Sequence, residues 1–182
     1  MLFVSAMTET TIRKNNLDSR VVDDIIRIGQ KNFKKNSTAV ELFYMKKFEN
    51  FKKSLDVLLS ADRANAQSNE IYRIGVIGQY NLTFELAWKT LQAVMQSHSV
   101  NESETGSPRE IIKQAYKIGF LDNAEQWQLM LKKRNVSTHI YNEAEINEMI
   151  DLIFDAFIQT FVDLRDKLEQ KINETENDNW DK

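Results

Sequence analysis

Apolar residues in the middle of the chain recur at intervals of three and four, the spacing of one buried helix face. Phe48, Phe51, Leu55, Leu58 and Leu59 form one such stripe, and Asp62 ends it with a charge. Ser37 is a candidate cap for this first helix. A second, longer helix is expected from about Ser68 to His98, with Ile71, Ile74, Ile77, Leu82, Leu86, Leu91 and Met95 on wide apolar faces. Gly75 and Gly78 lie within it. Each costs about 1 kcal/mol against Ala in a helix, so a close approach of another helix is expected there.

Ser97 to Gly106 is polar punctuation. Ser107-Pro108-Arg109-Glu110 then has the marks of a helix start: a capping Ser, Pro at the first position and Glu closing a capping box. This short helix is expected over Pro108–Ile118, with Gly119 at its C′ position. Asp122-Asn123-Ala124-Glu125 reads as a second capping box, opening a helix through Trp127, Met130 and Leu131. Asn142 is the candidate cap of the last helix, whose stripe is Ile146, Met149, Ile150, Ile153, Phe157, Phe161, Leu164 and Leu168. No sustained period-two alternation and no Asn-Gly or Asp-Gly turn suggests a strand. The expected fold is all-α: an antiparallel up-and-down bundle of about five helices, three long and two short, over residues 45–168. Residues 1–44 read as an N-terminal extension with a weaker amphipathic helix over Val21–Phe33, and 169–182 as an acidic tail that frays and contains Trp180.

Composition narrows the chemistry. The 182 residues include no Cys, two His, one Pro and five Gly. Disulfides, thiolate metal sites and a cysteine nucleophile are thereby excluded within this sequence. Two histidines, His98 and His139, exclude a multi-histidine site in one chain. No apolar run approaches the length of a membrane span, and Met1 to Thr8 lacks the basic start of a signal peptide. A cytoplasmic protein with no membrane contact is expected. The net charge of -3 offers no global attraction to nucleic acid, although a local basic site is compatible with it. No phosphate loop, nucleophile elbow, paired-His motif or Ca²⁺ loop is present, so no metal or other cofactor is expected.

The segment richest in chemistry is Lys132-Lys133-Arg134-Asn135-Val136-Ser137-Thr138-His139-Ile140-Tyr141. A His can move a proton near neutral pH, an Arg can clamp a phosphate, and a Tyr hydroxyl can position a substrate or accept a modifying group. In one continuous helix His139 would lie about 140° from Arg134, so the two converge on one phosphate only if the helix breaks or a second subunit supplies one of them. On composition and spacing alone, such a pair near a helix end is more often capping and surface polarity than a site. A second polar set, Arg73, Gln79, Asn81, Glu85 and Lys89, lies on the long helix. Glu85 and Lys89 suit a plain surface pair; the sharper reading has Arg73, Gln79 and Glu85 lining a groove beside Phe84 and Trp88. Trp88 and Trp127 read first as core.

Five short motifs follow in order: Phe84-Glu85-Leu86-Ala87-Trp88-Lys89, Ser107-Pro108-Arg109-Glu110, Ala115 to Asp122, Trp127, and Arg134-Asn135 with His139-Ile140-Tyr141. Over about residues 44–168 the chain resembles the nucleotidyltransferase substrate-binding protein family, part of the HEPN superfamily and related to HepT toxins. The resemblance implies an HEPN helical bundle, a homodimer, and a small nucleotidyltransferase as partner. In the HepT branch it implies a toxin–antitoxin module. There Arg134 and His139 would form a metal-independent ribonuclease site acting on RNA, with Asn135 beside the Arg. The partner would transfer AMP to Tyr141, adding bulk and negative charge beside Arg134. The alternative within the same resemblance is a noncatalytic substrate-binding subunit, with Arg73, Gln79, Glu85, Trp88 and Lys89 near its groove.

Overall fold

The computed structural model describes residues 43–97, 106–137 and 142–180, with side chains as far as Asn173. The expected helix Val21–Phe33, the Ser37 cap, His98, His139 and Tyr141 lie outside the described residues, as does the side chain of Trp180. Helix α1 spans 43–59. It is followed by α2 (Arg63–Ser68), α3 (Glu70–Ser97), α4 (Pro108–Lys117), α5 (Ala124–Val136) and α6 (Glu143–Leu152). A π-helical turn, Ile153–Phe157, joins α6 to α7 (Ile158–Trp180). Among the described residues there is no strand.

Local chemistry fixes most of the boundaries. The Ser107 capping box forms on both sides, with Pro108 at the first helical position. Gly119 takes φ 78° just beyond α4, where an L side chain would be strained. Asn142 accepts a hydrogen bond from the Ala144 N–H at 2.8 Å and so caps α6. At α5 the cap is one residue later than expected. Asn123 accepts from the Gln126 N–H at 3.0 Å, while the Asp122 carboxylate is engaged by Lys167. The start of the long helix also differs. Asp62 does more than end a stripe: it accepts from the Asn65 N–H at 2.7 Å and opens α2, a short helix placed before α3.

Pairings across the core show the up-and-down order. The Thr90 hydroxyl donates to the Lys47 carbonyl at 3.1 Å, and the Gln79 amide donates to the Ser54 carbonyl at 2.8 Å, so α1 and α3 run in opposite senses. Lys133 pairs with Glu148 at 2.7 Å while Asp122 pairs with Lys167, so α5 opposes the α6–α7 rod. Phe51, Tyr80, Phe84, Trp127, Phe157 and Phe161 form a buried aromatic centre. Tyr80 stacks on Phe157 with centroids 5.2 Å apart, and Phe161 meets Phe51 and Trp127 edge-on.

The last stripe forms as expected and then goes further. Met149, Ile150, Ile153, Phe157, Phe161, Leu164 and Leu168 are buried, Ile146 at the head of the expected stripe is only partly covered, and Ile172 continues the row inside what reads as a fraying tail. Two successive steps of four, Ile153 to Phe157 to Phe161, carry a straight α-helix about 80° past alignment. The wider π turn at Ile153–Phe157 takes up that excess and keeps the row facing inward.

The α3 glycines depart from expectation. A Cβ built on Gly75 or Gly78 meets nothing within 4 Å among the described residues, so none of the described helices packs closely there. Ile71, Ile74 and Leu82 are exposed at 84%, 61% and 51%. With the two glycines they occupy an arc of about 100° along one side of α3. The expected Leu91 and Met95 are buried, and they share the buried face with Val76, Tyr80, Phe84, Ala87 and Val94. Leu59 of the first stripe also faces out, at 44% exposure.

Candidate functional site

Arg134 sits in the last turn of α5, half-exposed. Its guanidinium donates to the Glu85 carboxylate of α3 at 2.7 Å and to the Asn135 side-chain oxygen at 3.2 Å. Lys89 approaches the other Glu85 oxygen at 3.4 Å, one helical turn further along α3. Glu85 thus sits between two cations. The Lys89 ammonium also lies 5.6 Å from the centre of the Trp88 ring. Lys47 on α1 is held below the ordinary lysine range, first by burial and then by the charge of Lys89.

Ser137 closes the end of α5. Its hydroxyl lies 2.7 Å from the Arg134 carbonyl and exchanges hydrogen bonds with the Asn81 amide at 2.9 and 3.1 Å. Beneath this, the buried Tyr80 hydroxyl donates to the Met130 carbonyl at 2.8 Å. Burial pushes the Tyr80 phenol far above its ordinary range, against a smaller opposing pull from Arg134. Asn81, Glu85 and Tyr80 therefore fix the last two turns of α5 on α3. Asn142 has extended backbone, φ -102° and ψ 130°, so α5 and α6 are not one continuous helix. This break falls beyond His139, which itself lies outside the described residues.

The groove set divides. Glu85 and Lys89 lie with Arg134 and Asn135, and Trp88 packs on the core with Lys89 over its ring. Arg73 does not join them. It is 9% exposed, and it donates to the Ala66 and Gln67 carbonyls of α2, both at 2.9 Å, bracing the C-terminal end of that helix. It also lines a separate cavity of about 490 Å³ with Ile74, Ile77, Ser137, Glu143 and Ile146. Gln79 faces α1 and bonds Ser54. Trp127 is core at 2% exposure; Trp88 is half-buried, and its indole N–H has no partner among the described residues. Asn81, named with the polar set but not with the groove, links α3 to the Ser137 end of the motif. Its place four residues before Glu85 is the signal that puts it on the same row.

Among the described residues no cluster of three or more His, Asp or Glu is arranged to hold a metal ion. No described helix is long and apolar enough to cross a membrane.

Comparisons with known proteins bear on this geometry. The chain is 22% identical over 88 residues to a Haemophilus influenzae protein named "Probable ribonuclease HepT". That alignment takes in 47% of this chain and 60% of the relative, so it leaves a substantial part of both unmatched. A solved structure from Thermus thermophilus superposes with TM-score 0.53 at 23% identity, covering 67% of this chain and 98% of that one. The two share the all-helical fold. The family model for "Nucleotidyltransferase substrate binding protein like" matches residues 46–170, from α1 into α7 and across the whole Arg134 site. The chain therefore belongs to the nucleotidyltransferase substrate binding protein-like family.

Proposed function

We propose that this protein is the HepT-like half of a two-gene toxin–antitoxin module, a metal-independent ribonuclease silenced by a partner nucleotidyltransferase. The observation that carries the reading is the Glu85–Arg134–Asn135 arrangement. It holds a half-exposed guanidinium at the end of α5, five residues before His139. The relative named as a ribonuclease supports it. In this reading His139 moves the proton between the RNA 2′-hydroxyl and the leaving oxygen, and Arg134 stabilises the charged phosphorane. AMP on Tyr141 would place negative charge beside Arg134 and close the site.

A homodimer belongs to the same proposal. Ile71, Ile74, Gly75, Gly78 and Leu82 run along α3 directly toward Glu85 on the same side of the helix. A second copy seated on that stripe would bury its apolar surface and lie against the Arg134 site. Val57 and Ile71 extend the surface into a shallow groove of about 380 Å³.

The test is incubation of the full chain and its His139→Ala variant with labelled RNA in EDTA. Cleavage by the wild type alone supports the proposal, and Tyr141 then becomes the place to seek an AMP mass shift after exposure to the partner and ATP. The family description favours a second reading, a noncatalytic substrate-binding subunit of the nucleotidyltransferase. Absence of cleavage by unmodified protein, together with a changed partner activity, selects it. Expression alone adds a cellular discriminator: a toxin arrests growth and the subunit does not.

A further inference from the structure

A further cavity, of about 570 Å³ and with Arg134 on its lining, lies between the start of α4 and the last turns of α5. Its size falls within the roughly 300–1,000 Å³ range of small-ligand sites. Its charged lining residues are Arg109, Lys132 and Arg134, with no carboxylate among them, in a chain whose net charge is -3. Arg109 and Lys132 are exposed and have no hydrogen-bond or ion-pair partner among the described residues. Lys132, Asn135 and Gln128 project from one side of α5 at steps of three and four. The Gln128 amide nitrogen is buried without a partner, an unused donor at the wall. Backbone amides at the start of α4 do not supply the site, because Ser107 and Glu110 cap one another there.

A pocket that carries on its rim the paired donors of Arg109 and the point charge of Lys132, neither with an acid partner among the described residues, suits phosphate oxygens. The geometry points to Arg109 and Lys132 as binding residues for the phosphodiester of RNA flanking the one that Arg134 engages. The inference rests on the ribonuclease reading for its substrate and extends it from one phosphate to a strand. It also answers the objection raised by the acidic net charge: the basic track is local, and Arg134 belongs to both of its ends.

The test compares the full chain with its Arg109→Gln/Lys132→Gln double variant, checking by thermal melt that both are folded. With a labelled RNA oligonucleotide in EDTA, the variant should keep its kcat and lose affinity, since these contacts hold ground state and transition state alike. One single-strand phosphate contact carries a salt slope of about 0.7, which amounts to about a 5-fold rise in KM near 0.1 M salt. The slope of log KM against log salt should become shallower by about the same 0.7. A dinucleotide substrate, which lacks the flanking phosphate, should be cleaved equally by both proteins.

An unchanged KM and slope on the oligonucleotide overturns the inference while leaving the ribonuclease standing. An equal loss on the dinucleotide also overturns it, because the pocket would then hold the scissile phosphate. ATP that competes with RNA for the wild type but not for the double variant overturns it in favour of a nucleotide site. If the wild type cleaves nothing, the ribonuclease reading fails separately, and anisotropy with the same oligonucleotide decides the pocket. Binding about 5-fold weaker in the variant supports it, and equal binding overturns it.

Discussion

The Glu85 carboxylate meets the Arg134 guanidinium at 2.7 Å and tethers the last turn of α5 to the middle of α3. Both side chains are partly exposed, 25% and 38%, so the pair adds at most about 1 kcal/mol to stability. Its effect lies in aim: a guanidinium that would otherwise sample many rotamers is held in one direction. Glu85→Ala should therefore leave the melting temperature almost unchanged while lowering kcat for RNA cleavage by about 10–100-fold, the cost of a misplaced group. Glu85→Gln, which can still accept a hydrogen bond, should recover part of that loss. Arg134→Ala should cost about 10²–10³ in kcat. Equal activity of the Glu85→Ala variant and the wild type would show that Glu85 does not position Arg134.

Arg73 allows a sharp separation of brace from binding group. It holds the Ala66 and Gln67 carbonyls and is almost fully buried. Arg73→Met keeps the length of the stem and removes both hydrogen bonds. It should destabilise the protein by about 2–3 kcal/mol in urea unfolding, since bonds from a charged donor are the stronger kind. Cleavage by the fraction that remains folded should be normal. The opposite pattern, unchanged stability with weakened nucleotide or RNA binding, would return Arg73 to a ligand groove.

The contrast between Arg73 and Glu85 shows what the residue pattern could and could not convey. Helix starts marked by chemistry of their own, Ser107-Pro108 and Asn142, stand where the sequence puts them, because a cap is decided within four residues. The inward row from Met149 to Leu168 is legible for a similar reason, since burial repeats every turn. The side taken by Ile71, Ile74 and Leu82 is not legible. Apolar residues lie all around that part of α3, and only the neighbouring helices decide which of them are covered. The division of the polar set has the same origin. Arg73 and Gln79 are drawn to carbonyls of α2 and α1 by contacts that no spacing along α3 encodes. Arg109 and Lys132 are 23 positions apart and meet only because α4 packs on α5.

The exposed stripe on α3 predicts its own disruption. Charge placed on it cannot harm a core that it does not enter, but it should prevent self-association. Ile74→Asp with Leu82→Asp should run as a monomer in light scattering at concentrations where the wild type is a dimer. A monomer's fold should persist, with an unchanged helical circular dichroism spectrum. If the stripe carries the dimer and the dimer completes the site, cleavage should fall together with dimer content. A wild type that scatters as a monomer at micromolar concentration would rule out the composite site.

The cap of α4 sets a pH dependence whose sign is fixed by its geometry. The Glu110 carboxylate accepts from the Ser107 N–H at 2.7 Å and from its hydroxyl at 3.0 Å. The Ser107 backbone bond first, and its side-chain bond next, hold the Glu110 carboxyl below its ordinary value of 4.5. A group with a lowered folded-state pKa contributes stability that is complete above its unfolded value and is lost as pH falls through the folded one. Asp155, lowered by its bonds to Arg63, adds a contribution of the same sign. Urea unfolding of the wild type and Glu110→Gln should therefore show a stability gap near neutral pH that persists down to about 4.5 and closes below it. Ser107→Ala should cost about 1 kcal/mol at neutral pH through the lost cap. In the Ser107→Ala background the Glu110→Gln gap should shrink, because the backbone bond alone remains to prefer the carboxylate. A gap that stays constant across the acid range would mean that Glu110 does not favour its charged form in the folded protein.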